Sequence, residues 1–232
     1  MIVDTPAIVL KTFPYGETSL ISRCFTKEKG KVSFIIKGAQ SKKNLIAPYF
    51  QPLSCIQIIY NENEKRDLQI VSKVDFIKIW LKISQSLKKM ILLQSILEIT
   101  DFSLEINDPH PGLFESLVEV IELYENDSIN LNVAFWFYET VILSEMGFRI
   151  DLKDDNFESM GYDSLDLNGE EKCRYILQNL INKNFEKKSF ENIQSREKKL
   201  ISNYLYNQLC YHIEGFDCLK SFKIAKNILN DI

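Results

Sequence analysis

The sequence predicts an α+β protein of two domains: a five-stranded closed barrel over residues 1–80, then an all-helical domain over 81–232. Three observations carry that reading. Five short runs rich in Ile, Val, Phe, Ser and Thr, separated by Gly- and Pro-bearing turns, fall within the first 80 residues. Beyond residue 80 the apolar positions take up a helical spacing. The charge changes sign at the same place. Residues 1–80 carry 12 Lys/Arg against 7 Asp/Glu, and 81–232 carry 16 against 25, within a net charge of -4.

The strand candidates come first. "PAIVLKTF" (6–13), "TSLISRCFT" (18–26) and "KVSFIIKG" (31–38) are divided by "PYGE" and "KEKG", and "LSCIQIIY" (53–60) and "DLQIVSKVDFIKI" (67–79) are joined by "NENEKR". In the third run Val32, Phe34 and Ile36 alternate with Lys31, Ser33, Ile35 and Lys37. A period of two puts Lys31 and Lys37 on one face and the apolar trio on the other. Five short strands with tight turns match a small closed barrel, of which the oligonucleotide-binding (OB) fold is the five-stranded form.

The helices follow. Residues 87–105 are apolar nearly all round, the mark of a buried helix. Pro111 opens a second helix, where a proline is tolerated, and Leu113, Phe114, Leu117, Val118, Ile121 and Tyr124 form its stripe. The most apolar candidate, 131–147, stops at Gly147. Residues 149–169 read as irregular, and three further helices complete the chain, the longest capped by Ser195 with Gly215 just past its end.

Several function classes are disfavoured. No window of about 18 unbroken apolar residues occurs, so no membrane span is expected. The first residues lack the basic and small-residue signals of a secretory leader, and the expected compartment is the cytoplasm. Five scattered cysteines without C-x-x-C spacing read as reduced thiols. Two histidines, His110 and His212, stand far apart, and no hydrolase, metalloprotease or dinucleotide motif appears, so no enzyme and no cofactor are expected.

What remains is a cationic set on the barrel: Arg23, Lys27, Lys29, Lys31, Lys37, Lys42 and Lys43, interleaved with Phe25, Phe34, Tyr49 and Phe50. Lysines hold phosphates without reading bases, and exposed rings stack on unpaired ones. Phe34 is expected inside the barrel, leaving Tyr49 or Phe50 as stacking candidates. A solvated lysine face without a partner would produce the same charge pattern.

The order "AIVLKTFPYGETSLISRCFTKEKGKVSFIIKGAQSKK", then "YFQPLSCIQIIY", resembles the RecO family of bacterial DNA repair proteins. The likeness continues weakly through "HPGLFESLVEVIELY", "LSEMGF" and "HIEGFDCLKS". The resemblance implies an OB domain followed by a helical domain. It implies binding to single- and double-stranded DNA, annealing of complementary strands, and action with RecR to load RecA on strands coated by single-strand-binding protein, in the RecFOR pathway. A cytoplasmic, nucleoid-associated protein is the matching location. The seven cations are then the candidate DNA contacts, with Lys31, Lys37, Lys42 and Lys43 at basic positions of the family barrel, and Gly16, Gly30 and Gly38 at its turns.

Three departures from the family pattern stand out. Many members carry a four-cysteine zinc finger after the glycine-aromatic pair matched by Gly147 and Phe148; here the region has Cys173 alone, too few thiolates for a tetrahedral site. A metal-free, degenerate loop over about 149–172 is therefore expected. Gln40 stands where the family usually has arginine. Trp136 and Phe137 replace arginines that would help hold the acidic, apolar tail of single-strand-binding protein. An alternative reading is a protein-interaction scaffold whose barrel has lost strong DNA binding.

Overall fold

In a computed structural model, residues 1–41, 45–150, 152 and 170–231 are described. Five strands, β1 (Ile2–Tyr15), β2 (Ser19–Thr26), β3 (Gly30–Ile36), β4 (Cys55–Asn61) and β5 (Gln69–Lys78), precede the helices α1 (Leu87–Ser103), α2 (Pro111–Asn126), α3 (Leu131–Glu145), α4 (Glu171–Ile181), α5 (Ser195–His212) and α6 (Lys220–Asp231). The strands close in the order β1-β2-β3-β5-β4, the predicted barrel. The chain divides into two compact units. The barrel unit runs to Gln85 and also takes in Leu97–Glu115; the second comprises Ser86–Ile96 and Ser116–Ile232.

The barrel closes because its strands alternate as the sequence requires. Val3, Ala7 and Val9 from β1, Cys24 from β2, Val32, Phe34 and Ile36 from β3, and Ile56, Ile58 and Tyr60 from β4 fill one interior. Phe34 meets Tyr60 edge-on at 5.0 Å, a favoured aromatic geometry. Phe50, on the short 3-10 turn Ala47–Phe50, is also fully buried in that core, so it offers no ring to a ligand. Tyr49 stacks on Phe76 at 4.3 Å.

β1 is longer than expected, and an irregularity between Val9 and Lys11 sets its phase. One extra residue in a strand swaps the faces that follow it. Val9 therefore lies in the core, while Thr12 turns in to hydrogen-bond buried Ser22 at 2.9 Å. Lys11, Phe13 and Tyr15 are left exposed.

The rest of the first unit lies on the barrel's outer side. Phe25 packs edge-on against Phe114 at 5.5 Å. The backbone N–H of Asn107 donates to the carbonyl of Lys31 at 3.0 Å, and Ile106 bridges Lys31 as a short parallel strand would. Gly30 permits this approach. Its φ is +66°, and a Cβ there would lie 2.0 Å from the Asp108 carbonyl oxygen. Gly16 and Gly38 also have positive φ, as turn positions do.

In the second unit α3 is the core helix, buried from Asn132 to Leu143. Trp136 donates its indole N–H to Ser202 at 3.0 Å, and Phe137 meets Phe185 edge-on at 4.9 Å. Both are interior side chains. Asn132 donates to the Leu229 carbonyl at 2.7 Å, tying α6 to α3. Ser195 is not the cap of α5. Gln194 is, through a reciprocal capping box with Glu197, because a glutamate three residues into the helix can reach back to the cap's N–H.

Glu139 is buried on α3, and one carboxylate oxygen has no hydrogen-bond partner. Burial raises its pKa well above the ordinary value, with Lys226 opposing the shift. A carboxyl with a raised folded pKa leaves stability intact below its unfolded value, about 4.3, and lowers it as pH climbs toward the folded value. Glu139→Gln is therefore expected to raise the urea midpoint at pH 7, with the gain vanishing below about pH 4. Urea melts of the two proteins at both pH values check this.

Candidate nucleic-acid interface

The candidate site is the outer face of β1, β2 and β3. Pairing sets its rows. Lys11 lies opposite Arg23, which lies opposite Ser33; Phe13 lies opposite Ile21, which lies opposite Ile35; Tyr15 lies opposite Ser19. Exposed Lys37 follows directly after the Leu20–Ile36 pair that ends β3. The face thus carries an apolar row, Phe13–Ile21–Ile35, with Lys11 toward one end of the strands and Tyr15 and Lys37 toward the other.

Four of the seven predicted cations are drawn to carboxylates of the chain itself. Arg23 makes a two-pronged contact with Asp101, at 2.9 and 2.7 Å to its two oxygens. The Lys31 ammonium lies 3.7 Å from the same carboxylate and donates at 2.6 Å to the Asp101 backbone carbonyl. Its side chain is only 11% exposed, and burial is the main cause of its lowered pKa, with Asp101 pulling the other way. A lysine buried between an acid and a carbonyl holds the chain together. Lys31 does lie on the face opposite Val32, Phe34 and Ile36, as the alternation required, but the 101–107 segment covers it.

Lys27 pairs with Glu115 at 2.9 Å, and that hydrogen bond raises its pKa. Lys29 pairs with Glu62, also at 2.9 Å. These two pairs are more exposed than that of Lys31, and solvent screening leaves exposed pairs weak. A phosphate can compete for such lysines more readily than for Arg23 and Lys31. Lys37 has no ion-pair partner among the described residues. Lys42 and Lys43 lie outside the described residues.

The residues that sequence reasoning missed are on β1. Lys11, Phe13 and Tyr15 share the open face, and their every-other-residue spacing is visible in "LKTFPY". Without the irregularity at Val9–Lys11, that spacing does not say which face is outside. Gln40, at the usual arginine position, is occupied in the turn. It donates from its side chain to the Ser19 carbonyl at 2.6 Å.

No metal-binding arrangement of three or more His, Cys, Asp or Glu side chains occurs among the described residues. Cys173 is buried on α4, and its thiol is pushed up to about 11, chiefly by burial. Residues 151 and 153–169, most of the expected metal-free loop, lie outside the described residues. No helix among the described residues is long and apolar enough to cross a membrane.

A closed five-stranded barrel in the order β1-β2-β3-β5-β4, followed by a helical unit, defines a protein of the OB-fold class, whose barrels bind oligonucleotides and oligosaccharides. Comparison with known proteins narrows the class. Residues 1–80 match the model described as Recombination protein O N terminal, and residues 84–159 match Recombination protein O C terminal. The chain belongs to the RecO family of DNA repair proteins. It is 32% identical over 120 residues to the DNA repair protein RecO of Salinibacter ruber, covering 52% of this chain and 46% of the relative. It is 29% identical over 154 residues to that of Chloroherpeton thalassium, covering 66% and 59%. It is 25% identical over 244 residues to that of Flavobacterium psychrophilum, covering 99% and 100%. The matched stretch therefore spans about half to three fifths of the first two relatives and the full length of the third.

Proposed function

We propose that this chain is a recombination mediator that binds single- and double-stranded DNA, anneals complementary strands and helps RecR load RecA onto strands coated by single-strand-binding protein. Family membership supplies the DNA repair role. The observation that carries the binding mode is the open outer face of β1–β3, where exposed Lys11 and Lys37 stand beside exposed Phe13 and Tyr15. Cations hold a sugar-phosphate chain, and rings stack on its bases without choosing among them. Lys37, Lys42 and Lys43 are the proposed principal contacts, joined by Lys11. Lys27 and Lys29 are available by exchange with Glu115 and Glu62, and Arg23 and Lys31 hold the 101–107 segment. The role is binding without bond chemistry, carried out in the cytoplasm at the nucleoid. Trp136 and Phe137 are core side chains, so neither supplies a surface for the tail of single-strand-binding protein.

A salt titration with fluorescent single-stranded DNA tests the interface. Four phosphate contacts give a slope of log affinity on log salt of about -3, so a fourfold salt increase weakens binding roughly 50-fold. Recruitment of all eight cations would steepen the slope to about -5 or -6. Absence of binding at low salt would favour the scaffold reading. Annealing of coated complementary strands with and without RecR tests the mediator role, and acceleration is expected.

A further inference from the structure

β5 pairs with β4 along nearly its whole length, but with β3 only at Phe34–Gln69 and Ile35–Ile70. Past Ile70 the edge away from β4, Val71 to Ile77, has no described strand beside it, although the Ala47–Phe50 turn packs on β5 through Tyr49 and Phe76. Among the described residues, no backbone hydrogen bond from outside the barrel strands reaches that stretch. Such an edge carries unmet N–H and C=O groups and is a template for an added strand.

The sequence of the edge says which strand fits it. The free stretch is centred on Val74. Antiparallel pairing with a second copy about a two-fold axis at Val74 sets Lys73 opposite Asp75 of that copy, and Asp75 opposite its Lys73. The regular part of the strand is Lys73 to Phe76, since Ser72 and Ile77 are the extra residues of two irregularities against β4. Lys73 and Asp75 are 66% and 59% exposed and bond each other within one chain at 2.8 Å. An exposed pair of this kind is weak, so it can be exchanged for the equivalent pair across an interface. Pairing about any other residue of the stretch loses this match of opposite signs. Phe76 and Ile77 are exposed and would be partly covered.

We propose that the free edge of β5 is a self-association surface, through which two copies of this chain pair β5 with β5 antiparallel about Val74. The interface is isologous, so both copies use the same patch. It is independent of the DNA-binding reading, since it uses none of the cations assigned there.

Sedimentation of the full chain over about 1 to 300 μM tests it. The mass is expected to rise from 27.1 kDa toward twice that value with concentration. Lys73→Asp sets like charges against each other at two places in the dimer, and Asp75→Lys does the same. Each variant alone is expected to associate about tenfold more weakly, because two favourable cross-strand pairs become repulsive. Mixing the two single variants is expected to restore association, because every cross-chain pair is then opposite in sign. The double variant with both reversals should match the parent. Circular dichroism verifies that each variant is folded. A chain that stays monomeric throughout would leave the edge to a strand from another protein and overturn the proposal. Association indifferent to both single reversals would place the contact elsewhere and overturn it equally.

Discussion

Gly30→Ala should lower unfolding stability by about 2–5 kcal/mol, more than any other single substitution considered for this chain. Two costs add. An L side chain in the left-handed region costs about 1–2 kcal/mol. Forcing backbone apart from an added methyl costs a further 1–3 kcal/mol or so, and at Gly30 the methyl would lie 2.0 Å from the Asp108 carbonyl oxygen. Relief requires withdrawing the 106–108 segment, which would pull at the Asn107–Lys31 hydrogen bond. Gly16→Ala is the matched control. Its φ of +60° carries the conformational cost, but nothing lies within 4 Å of the new methyl, so only that cost of about 1–2 kcal/mol is expected. Urea denaturation of the two variants separates the terms. Equal losses would mean that the approach of Asp108 contributes nothing.

The second large effect is functional. Changing Lys37, Lys42 and Lys43 together to Glu should abolish strand annealing and weaken single-stranded DNA binding about 100-fold or more near 0.1 M salt. The salt slope should fall by about two units, because three phosphate contacts are lost. The circular dichroism spectrum and melting temperature should hardly move, since Lys37 is exposed and forms no ion pair with a described residue. Lys31→Met is the opposite case. It should lower stability, by freeing Asp101 from one of its two cations, while leaving the salt slope nearly unchanged. Unchanged DNA affinity in the triple variant would defeat the assignment of these lysines to the interface.

The difference between these lysines was not legible in the sequence. Lys31 and Lys37 have the same parity on one strand, and the alternation of "KVSFIIK" sends both away from the core. What separates them is Asp101, whose carbonyl accepts from Lys31 across 70 residues of chain. Arg23 reaches the same residue across 78 residues. Pattern within a strand cannot register a partner on a helix that far away. The aromatic residues tell the same story. Phe34 was correctly placed inside by its period, whereas Phe50 lies on a short turn with no period to read, and its burial follows from the barrel interior it fills.

Alone, the sequence determined the order and type of the elements, the barrel, the turn glycines and the charge division between the two halves. These are local properties, written in spacing, chirality and composition over a few residues at a time. Only the tertiary structure decided which of the described cations are paired with carboxylates, which face of β1 looks outward past Val9, and that one edge of β5 has no partner among the described strands. Each of those depends on what a distant segment brings alongside, and burial and pairing between segments far apart in the chain have no signature in either one read by itself.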